Sequence, residues 1–254
     1  MIKLAVPNNQ IYDEILFNQD LLKSKGEISI FRLNENDCAS QLLKNKVDAA
    51  LLTPMGYAMG LFDADYRIIP GPALLSQSYT GAGTIIFGKE LKSVKTFASD
   101  SPDDFMVTIG KLLLGERYNI FPSMDDRYKD IENMLKNCDV VITWNGESED
   151  RITLDISDEW FDMNEFALPL AFWVCKSEGF PENILNILNS LASETVEKEI
   201  IEELPEGKDF APRQGKMLYS WNDDYERALE FTLHFLYYHQ LITEIPAVKL
   251  LGRD

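Results

Sequence analysis

The chain has 254 residues, of which 42 are acidic and 24 are basic, so its formal net charge is −18. Apolar residues make up 45% and charged residues 26%, which is ordinary for a globular protein with a sizeable core. The excess negative charge repels nucleic-acid phosphates and anionic membranes, so we expect no nucleic acid and no membrane as partner, although a pocket could still hold an anionic small molecule.

Strand and helix patterns alternate through the first part of the chain. Apolar residues at helical spacing predict two helices, and short apolar runs predict three strands. This β-α-β-α-β order indicates a parallel sheet with right-handed crossovers. The predicted strands are residues 3–7, 28–33 and 47–52, and the predicted helices are residues 12–23 and 36–44.

Polar residues follow the first and third of these strands, where loops commonly line ligand sites. Asn8 and Asn9 follow the first strand, and an amide there can hydrogen-bond a carboxylate or carbonyl group of a ligand. Thr53 and Tyr57 follow the third strand. The alternatives are an asparagine turn for the first pair, and a helix N-cap with a packing aromatic ring for the second.

A small, polar segment at residues 76–83 separates two further predicted strands. Its composition is typical of a hinge, a ligand-binding loop or a plain surface turn. Hydroxyl groups of Tyr79, Thr80 and Thr84 could reach a ligand from this segment. The predicted strands of this region are residues 66–75, 83–87 and 94–98.

Ser101 marks the predicted start of a helix that runs to residue 114. A serine N-cap, Pro102 at the first helical position, and Asp103 and Asp104 in the first turn are all helix-start signals. Free backbone amides at such a start favour an anion, although the two aspartates already satisfy this positive end. Ser101 is therefore a candidate ligand contact, with a simple cap as the alternative.

Trp144 and Asn145 follow a predicted strand at residues 139–143, which comes after a predicted helix at residues 130–136. The indole ring could stack on a ligand ring, and the amide could hydrogen-bond it. The alternative for an aromatic residue at a strand end is ordinary packing.

An almost wholly apolar run occupies residues 166–175. It is too short to span a bilayer and is typical of a strand buried on both faces. Beyond it the pattern predicts helices at residues 181–203 and 223–238.

The order of elements predicts an α/β protein with a two-lobed type II periplasmic-binding-protein-like fold and two hinge crossings. Lobe 1 would comprise residues 1–82 and 171–254, and lobe 2 would comprise residues 83–170. A ligand cleft would lie between the lobes. The pattern alone also permits a single doubly wound sheet.

The sequence contains no metal-ligand spacing and no phosphate-binding loop, so we predict no metal and no cofactor. Cys38, Cys138 and Cys175 are widely spaced and are expected to be buried thiols. The first ten residues are typical of a strand rather than a signal peptide, which predicts a cytoplasmic protein. Both a monomer and a homodimer are compatible with the sequence.

Four segments share a likeness with one protein family: residues 46–51 with Pro54 and Tyr57, residues 66–71, residues 154–156 with Trp160, and residues 168–173. They resemble the menaquinone-biosynthesis proteins of the futalosine route. That family includes chorismate dehydratase and the related enzyme that acts on cyclic dehypoxanthine futalosine. The resemblance covers nearly the whole chain and implies the two-lobed fold.

The same resemblance implies catalytic roles for two residues. Dehydratases of the family open with Ser-Tyr-Leu-Asn-Thr, whose Asn faces the substrate, and Asn9 falls at the matching place. The family's hydroxyl after the hinge would be kept only by Thr84. The family's Ser-x-Thr-Ser segment is replaced here by Asp103, Phe105 and Met106, and the sibling enzyme's histidine has no match.

Two principal functions are compatible with these features. The first is a chorismate-dehydratase-like lyase of menaquinone biosynthesis, in which Asn9 and Thr84 orient the substrate and the substrate's own carboxylate could act as base. The second is a non-catalytic binding protein for a small carboxylate or aromatic ligand on the same fold. A third is a partner-binding protein that uses its acidic surface.

Overall fold

The computed structural model describes residues 1–88, 93–146, 151–204 and 211–253. Within these ranges the α-helices are Gln19–Ser24 (α1), Glu35–Leu43 (α2), Pro54–Gly60 (α3), Phe105–Tyr118 (α4), Ile131–Asn137 (α5), Ile156–Asn164 (α6), Ile184–Leu191 (α7) and Asp223–Tyr238 (α8). The strands are Ile2–Pro7 (β1), Ile28–Leu33 (β2), Ala49–Leu52 (β3), Tyr66–Ser78 (β4), Gly83–Phe87 (β5), Thr96–Ala98 (β6), Ser123–Met124 (β7), Val140–Trp144 (β8), Thr153–Asp155 (β9), Leu168–Lys176 (β10), Glu197–Ile201 (β11) and Gln214–Ser220 (β12). Among the helices of these ranges, none is both long and apolar enough to cross a membrane.

The chain divides into two compact units. Unit 1 comprises Met1–Leu75, Leu168–Lys198 and Leu218–Asp254. Unit 2 comprises Ser76–Ala167 and Glu199–Met217. Each unit contains strands and helices, which agrees with the mixed α/β class predicted from the sequence.

Residues 199–217 are the main difference between these units and the predicted lobes. The prediction placed them in lobe 1 with the rest of residues 171–254, whereas the structure groups Glu199–Met217 with unit 2. The chain therefore changes unit on either side of this segment, in addition to the two expected crossings.

The larger sheet is mixed and has seven strands in the order β11-β12-β4-β10-β3-β1-β2, of which β1, β2, β3 and β10 lie wholly in unit 1. Strand β1 pairs in parallel with β2 and with β3, as the β-α-β-α-β pattern predicts. Strand β10 then pairs antiparallel to β3. Strands β4, β11 and β12 contain positions at which the chain changes unit.

The apolar run near the middle of the sequence forms β10, the central strand of this sheet. Its first eight residues are all buried, which confirms the prediction of a strand covered on both faces. Phe172 and Trp173 are fully buried there. The hydroxyl of Tyr225, on α8, lies 2.8 Å from the carbonyl oxygen of Ala171 and 3.1 Å from that of Leu74, which fixes α8 on the sheet.

Unit 2 is built on a five-stranded sheet in the order β7-β6-β8-β5-β9. Strand β5 pairs antiparallel with β8 on one side and with β9 on the other. Strand β6 pairs in parallel with β7 and β8. Helices α4 and α6 pack against each other and against β5, so β5 is held between two strands and beneath two helices.

The prediction of one long helix over residues 181–203 is wrong. Helix α7 ends at Leu191, and Glu197–Ile201 forms strand β11 instead. The backbone N–H of Glu202 donates to the carbonyl oxygen of Arg213 at 2.9 Å, and that of Tyr219 donates to Val196 at 2.9 Å. Long-range pairing with β12 therefore overrides the local helical pattern.

The predicted helix at residues 12–23 is also shorter in the structure. Two 3₁₀ turns, Gln10–Tyr12 and Glu14–Leu16, precede the six-residue α1. The side-chain amide of Asn18 donates to the carbonyl oxygens of Ser190 and Ala192 at 3.1 and 3.0 Å. This contact ties the start of α1 to the end of α7, which a local pattern cannot predict.

Candidate functional site

A pocket of about 560 Å³ lies wholly within unit 2. Its volume falls in the range typical of small-molecule sites. It lies against the segment between β4 and β5, the ends of β8 and β9, and the residues that follow β11 and precede β12. The lining residues are Tyr79, Thr80, Gly81, Thr84, Asn145, Gly146, Thr153, Asp155, Ile200, Ile201, Glu202, Glu203, Leu204 and Arg213.

Strand register places a row of polar side chains across one face of the unit 2 sheet. Thr84 on β5 is directly opposite Thr143 on β8 and Asp155 on β9. Residues directly opposite each other in an antiparallel pair share a face, so these three side chains lie side by side. The hydrogen bonds of each member decide which of them is available to a ligand.

Asp155 is almost fully buried, at 3% exposure, and uses both carboxylate oxygens inside unit 2. One oxygen accepts the N–H of Asp158 at 2.8 Å and so caps α6. The other accepts the N–H groups of Gly81 at 2.7 Å and Thr80 at 3.4 Å. Burial raises the pKa of Asp155 to about 6, against the lowering effect of these backbone donors.

A chain of buried hydroxyl groups extends from the same segment. Thr80 donates its hydroxyl to Ser157 at 3.2 Å, and Ser157 donates to Ser76 at 2.8 Å. Thr80, Ser157 and Ser76 are all buried. Together with Asp155, these bonds fix residues 76–82 to the start of α6, which indicates a rigid pocket wall rather than a loose loop.

Thr84 differs from its two neighbours in the row. Thr143 donates its hydroxyl to Asp100 at 3.0 Å, and Asp155 is fully used. The Thr84 side chain is only 6% exposed and lines the pocket, yet among the described residues its hydroxyl has no hydrogen-bond partner. The Thr84 oxygen is not among the fully buried atoms that lack a partner, so it is accessible from the pocket and presents a hydroxyl that a ligand can hydrogen-bond.

Arg213 and Glu202 form a bidentate ion pair at the pocket. Arg213 donates from Nε to Oε2 of Glu202 at 3.0 Å and from Nη2 to Oε1 at 2.7 Å. The guanidinium carbon lies 4.5 Å from the centre of the Tyr79 ring, a cation–π distance. The hydrogen bonds from Arg213 lower the pKa of Glu202, and the same contact raises the pKa of Arg213, so both groups stay charged.

Asn145 and Trp144 have different roles in the structure. Asn145 lines the pocket with an exposed side chain and a left-handed backbone, at φ 48°. Its backbone N–H donates to the carbonyl oxygen of Ala82 at 2.8 Å. Trp144 is not among the lining residues, and its indole N–H donates to the carboxylate of Asp104 at 2.8 Å. Of the predicted pair, Asn145 therefore lies at the pocket wall, and Trp144 is held by a hydrogen bond to Asp104.

The prediction that Ser101 caps a helix is wrong. Helix α4 begins at Phe105, and its N-cap position is Asp104. The backbone N–H of Asp104 donates to the carbonyl oxygen of Ser101 at 3.0 Å, and the N–H of Ser101 donates to the hydroxyl of Ser99 at 3.1 Å. Residues 101–104 thus form a turn before the helix, and Ser101 does not line the pocket.

Of the four site residues predicted in unit 1, Asn9 and Thr53 make local contacts. The side-chain oxygen of Asn9 accepts the N–H of Ile11 at 3.0 Å, and Asn8 is exposed. Thr53 accepts the N–H of Gly56 at 3.2 Å and caps α3.

Tyr57 is fully buried and donates its hydroxyl to the carbonyl oxygen of Ala247 at 2.9 Å. Thr53 is therefore a helix N-cap and Tyr57 is a packing aromatic ring, which are the two alternatives to a ligand role that the sequence offered. A ligand role for Asn8 and Asn9 stays a prediction.

Sequence reasoning missed Glu202 and Arg213, and it noted Asp155 only through the family resemblance. The stretch at residues 205–212 contains two prolines and a glycine, which is typical of a turn between paired strands. This signal could have placed Glu202 opposite Arg213. Within the described ranges, no group of three or more His, Cys, Asp or Glu side chains could hold a metal ion.

Comparison with known proteins identifies the fold. No family model matches the chain, and no protein of curated function matches it in sequence. The periplasmic aliphatic sulphonate binding protein SsuA from Escherichia coli has a TM-score of 0.57 and 11% identity, over 100% of this chain and 94% of that chain.

Two other solved structures are also similar. Protein AF1704 from Archaeoglobus fulgidus has a TM-score of 0.52 and 14% identity, over 94% of this chain and 77% of that chain. The protein CAE31940 from Bordetella bronchiseptica RB50 has a TM-score of 0.50 and 10% identity, over 69% of this chain and 63% of that chain. At these identities the likeness shows the fold alone. It confirms the predicted two-lobed, periplasmic-binding-protein-like fold class.

Proposed function

We propose that this chain is a binding protein for a small polar molecule, which occupies the unit 2 pocket and hydrogen-bonds Thr84. The observation that carries the proposal is the Thr84 side chain, which is only 6% exposed, lines the pocket and has no hydrogen-bond partner for its hydroxyl among the described residues. A ligand that supplies a donor or an acceptor to this hydroxyl gains a hydrogen bond worth about 0.5–1.5 kcal/mol.

The rest of the pocket wall suits a polar ligand. Thr153 and Asn145 also line the pocket, and neither side chain has a hydrogen-bond partner among the described residues. Ile200, Ile201 and Leu204 supply apolar contact area beside them. A few polar groups on a partly apolar wall are the usual composition of a small-molecule site. SsuA from Escherichia coli, which shares the fold, is itself a binding protein.

A second candidate function is the dehydratase activity that the family resemblance implies. It is favoured by Asp155, a carboxyl group with a pKa of about 6 in the same pocket as Thr84. Such a group suits proton transfer near neutral pH. The reaction would remove a proton and a hydroxide ion from chorismate as one molecule of water.

Two features rank this second candidate below simple binding. Both oxygens of Asp155 already accept backbone N–H groups, so neither is placed for proton transfer. Chorismate also carries two carboxylates, whereas the pocket lining contains three acidic side chains and one basic side chain among the described residues. Like charges at short range disfavour such a substrate.

Thermal-shift screening of neutral, ammonium-bearing and carboxylate-bearing compounds, with chorismate included, tests the proposal. Each compound that stabilises the chain is then titrated by calorimetry against the wild type, Thr84→Val and Thr84→Ser. Valine removes the hydroxyl and keeps the shape, whereas serine keeps the hydroxyl. We expect affinity to fall in Thr84→Val and to persist in Thr84→Ser. Equal affinity in all three proteins, or no stabilising compound, would contradict the proposal.

Chorismate turnover is followed separately through the loss of its ring absorbance. Turnover that disappears in Asn9→Ala and in Thr84→Val would establish the dehydratase. Stabilisation by a ligand without turnover would establish a binding protein.

A further inference from the structure

The unit 2 pocket has an unbalanced set of charges. Among its described lining residues, Arg213 is the one cation, and Asp155, Glu202 and Glu203 are the acidic side chains. Glu202 holds Arg213 through two hydrogen bonds, at 2.7 and 3.0 Å. The positive charge is therefore matched within the protein, and Asp155 and Glu203 have no cation facing them among the described lining residues.

The guanidinium group of Arg213 is enclosed on three sides. Glu202 occupies the edge that carries Nε and Nη2, and the Tyr79 ring covers one face. The carboxylate of Asp158 lies 3.9 Å from Nη1 on the remaining edge. A ligand carboxylate that approached Arg213 from this edge would therefore meet the like charge of Asp158 as well as that of Glu202.

The backbone holds the pair in place. The N–H of Glu202 donates to the carbonyl oxygen of Arg213 at 2.9 Å, and the N–H of Arg213 donates to Oε2 of Glu202 at 3.1 Å. Glu202 and Arg213 are thus facing residues of one hairpin, and their side chains are half-buried. These backbone contacts hold the two side chains close together and so favour the bidentate ion pair in the pocket.

We infer that Glu202 sets the charge selectivity of the pocket: by engaging Arg213, it excludes carboxylate ligands and leaves a site for uncharged or ammonium-bearing molecules. The inference rests on the proposed function and adds the ligand class. The acidic lining does not carry it alone, because the Thr84 side chain, only 6% exposed and without a hydrogen-bond partner among the described residues, independently presents a hydroxyl to the same pocket. A carboxylate would meet Asp155, Glu202 and Glu203, whereas an ammonium group would gain from the same field.

Three probes on one scaffold measure this selectivity. Tyramine, tyrosol and 4-hydroxyphenylacetate share a phenol ring and differ in a chain end that is positive, neutral or negative. Their affinities for the wild type, Glu202→Gln and Glu199→Gln are measured by NMR titration at low ionic strength. Glu199 lies on β11 in the same unit, is exposed and does not line the pocket, so its variant is a control for overall charge.

We expect the wild type to bind tyramine and tyrosol more tightly than 4-hydroxyphenylacetate. Glu202→Gln should raise the affinity for 4-hydroxyphenylacetate relative to tyramine by about tenfold, because glutamine leaves the charge of Arg213 unmatched. Glu199→Gln should leave the ratio unchanged. In the double variant Glu202→Gln with Arg213→Met, the gain for the carboxylate should disappear.

Three results would overturn the inference: a wild-type preference for the carboxylate, an unchanged ratio in Glu202→Gln, or no binding of tyramine and tyrosol at millimolar concentration. Circular dichroism confirms that each variant is folded. If Glu202→Gln does not fold, the reciprocal variant Arg213→Gln decides, because it should weaken 4-hydroxyphenylacetate further relative to tyramine. The proposed function is judged apart from this, by the response of any bound compound to Thr84→Val.

Discussion

The loops after β1 and β3 in unit 1 and the pocket wall in unit 2 both carry polar residues that the sequence singled out, but they use their hydrogen bonds differently. In unit 1, Asn9 and Thr53 accept backbone N–H groups at the starts of a 3₁₀ turn and of α3. In unit 2, Asp155 and Thr80 fix the wall, and Thr84 is left with an unused hydroxyl. Accounting for each donor and acceptor therefore separates residues that build the fold from a residue that can hold a ligand.

Among the changes that test this difference between the two units, Asp155→Ala should have the largest effect on stability. It leaves the N–H groups of Gly81, Thr80 and Asp158 without their acceptor and removes the cap of α6, so we expect a loss of about 3–4 kcal/mol in the free energy of unfolding. Urea denaturation measures it. Asp155→Asn keeps one acceptor oxygen and should lose clearly less. A loss below about 1 kcal/mol in the alanine variant would mean that Asp155 does not hold the wall.

The pH dependence of stability gives the next largest effect. Burial raises the pKa of Asp155 to about 6 from an ordinary value of 3.8, so between these values the folded chain binds a proton that the unfolded chain lacks. The contribution of Asp155 to the free energy of unfolding should therefore grow as the pH falls from about 6 to about 4. A difference of about two pKa units corresponds to roughly 3 kcal/mol.

Urea denaturation of the wild type and of Asp155→Asn at several pH values isolates this contribution. The stability of the wild type relative to the variant should rise across that window and stay level above it. If the stability of the wild type relative to Asp155→Asn were constant, or fell as the pH falls, the pH dependence could not be assigned to Asp155.

The fold could be predicted because much of it depends on local pattern. The run that forms β10 and the amphipathic helix α8 lie where the periodicity places them, since their apolar spacing reflects the faces that they bury. The end of α7 and the hairpin of β11 and β12 could not be predicted in this way. They depend on backbone hydrogen bonds between residues such as Glu202 and Arg213, which are much farther apart in the sequence than one turn of a helix.

The candidate site could be predicted in part for the same reason. Thr84, Tyr79, Thr80 and Asn145 were candidates because they end strands or join them, and all four line the pocket. Arg213 reaches the pocket through its pairing with Glu202, which the prolines and glycine at residues 205–212 could have indicated but which helix and strand periodicity does not. The sequence also cannot show that Thr143 is bonded to Asp100 while its neighbour in the sheet, Thr84, is not.

Thr84→Val and Thr53→Ala test the two regions against each other. Thr84→Val should weaken a bound ligand by about tenfold and change the free energy of unfolding by no more than about 0.5 kcal/mol, because no internal hydrogen bond is lost. Thr53→Ala should cost about 1 kcal/mol of stability through loss of the α3 cap and leave affinity unchanged. Calorimetric titration measures the affinity of both variants, and urea denaturation measures their stability. A loss of affinity in Thr53→Ala, with a loss of stability alone in Thr84→Val, would show that the two residues have the opposite roles.

Asn9→Ala has the smallest expected effect and decides how the family resemblance should be weighed. The side-chain oxygen of Asn9 accepts one N–H at the start of a three-residue 3₁₀ turn, so its loss should cost only about 0.5 kcal/mol. Among the described residues its amide NH₂ group has no partner, which leaves it available to a substrate. If the chain only binds a ligand in the unit 2 pocket, affinity should be the same in Asn9→Ala and in the wild type. A loss of affinity or of chorismate turnover without a matching loss of stability would instead give Asn9 the role that the resemblance implies, because a capping contact alone cannot produce that result.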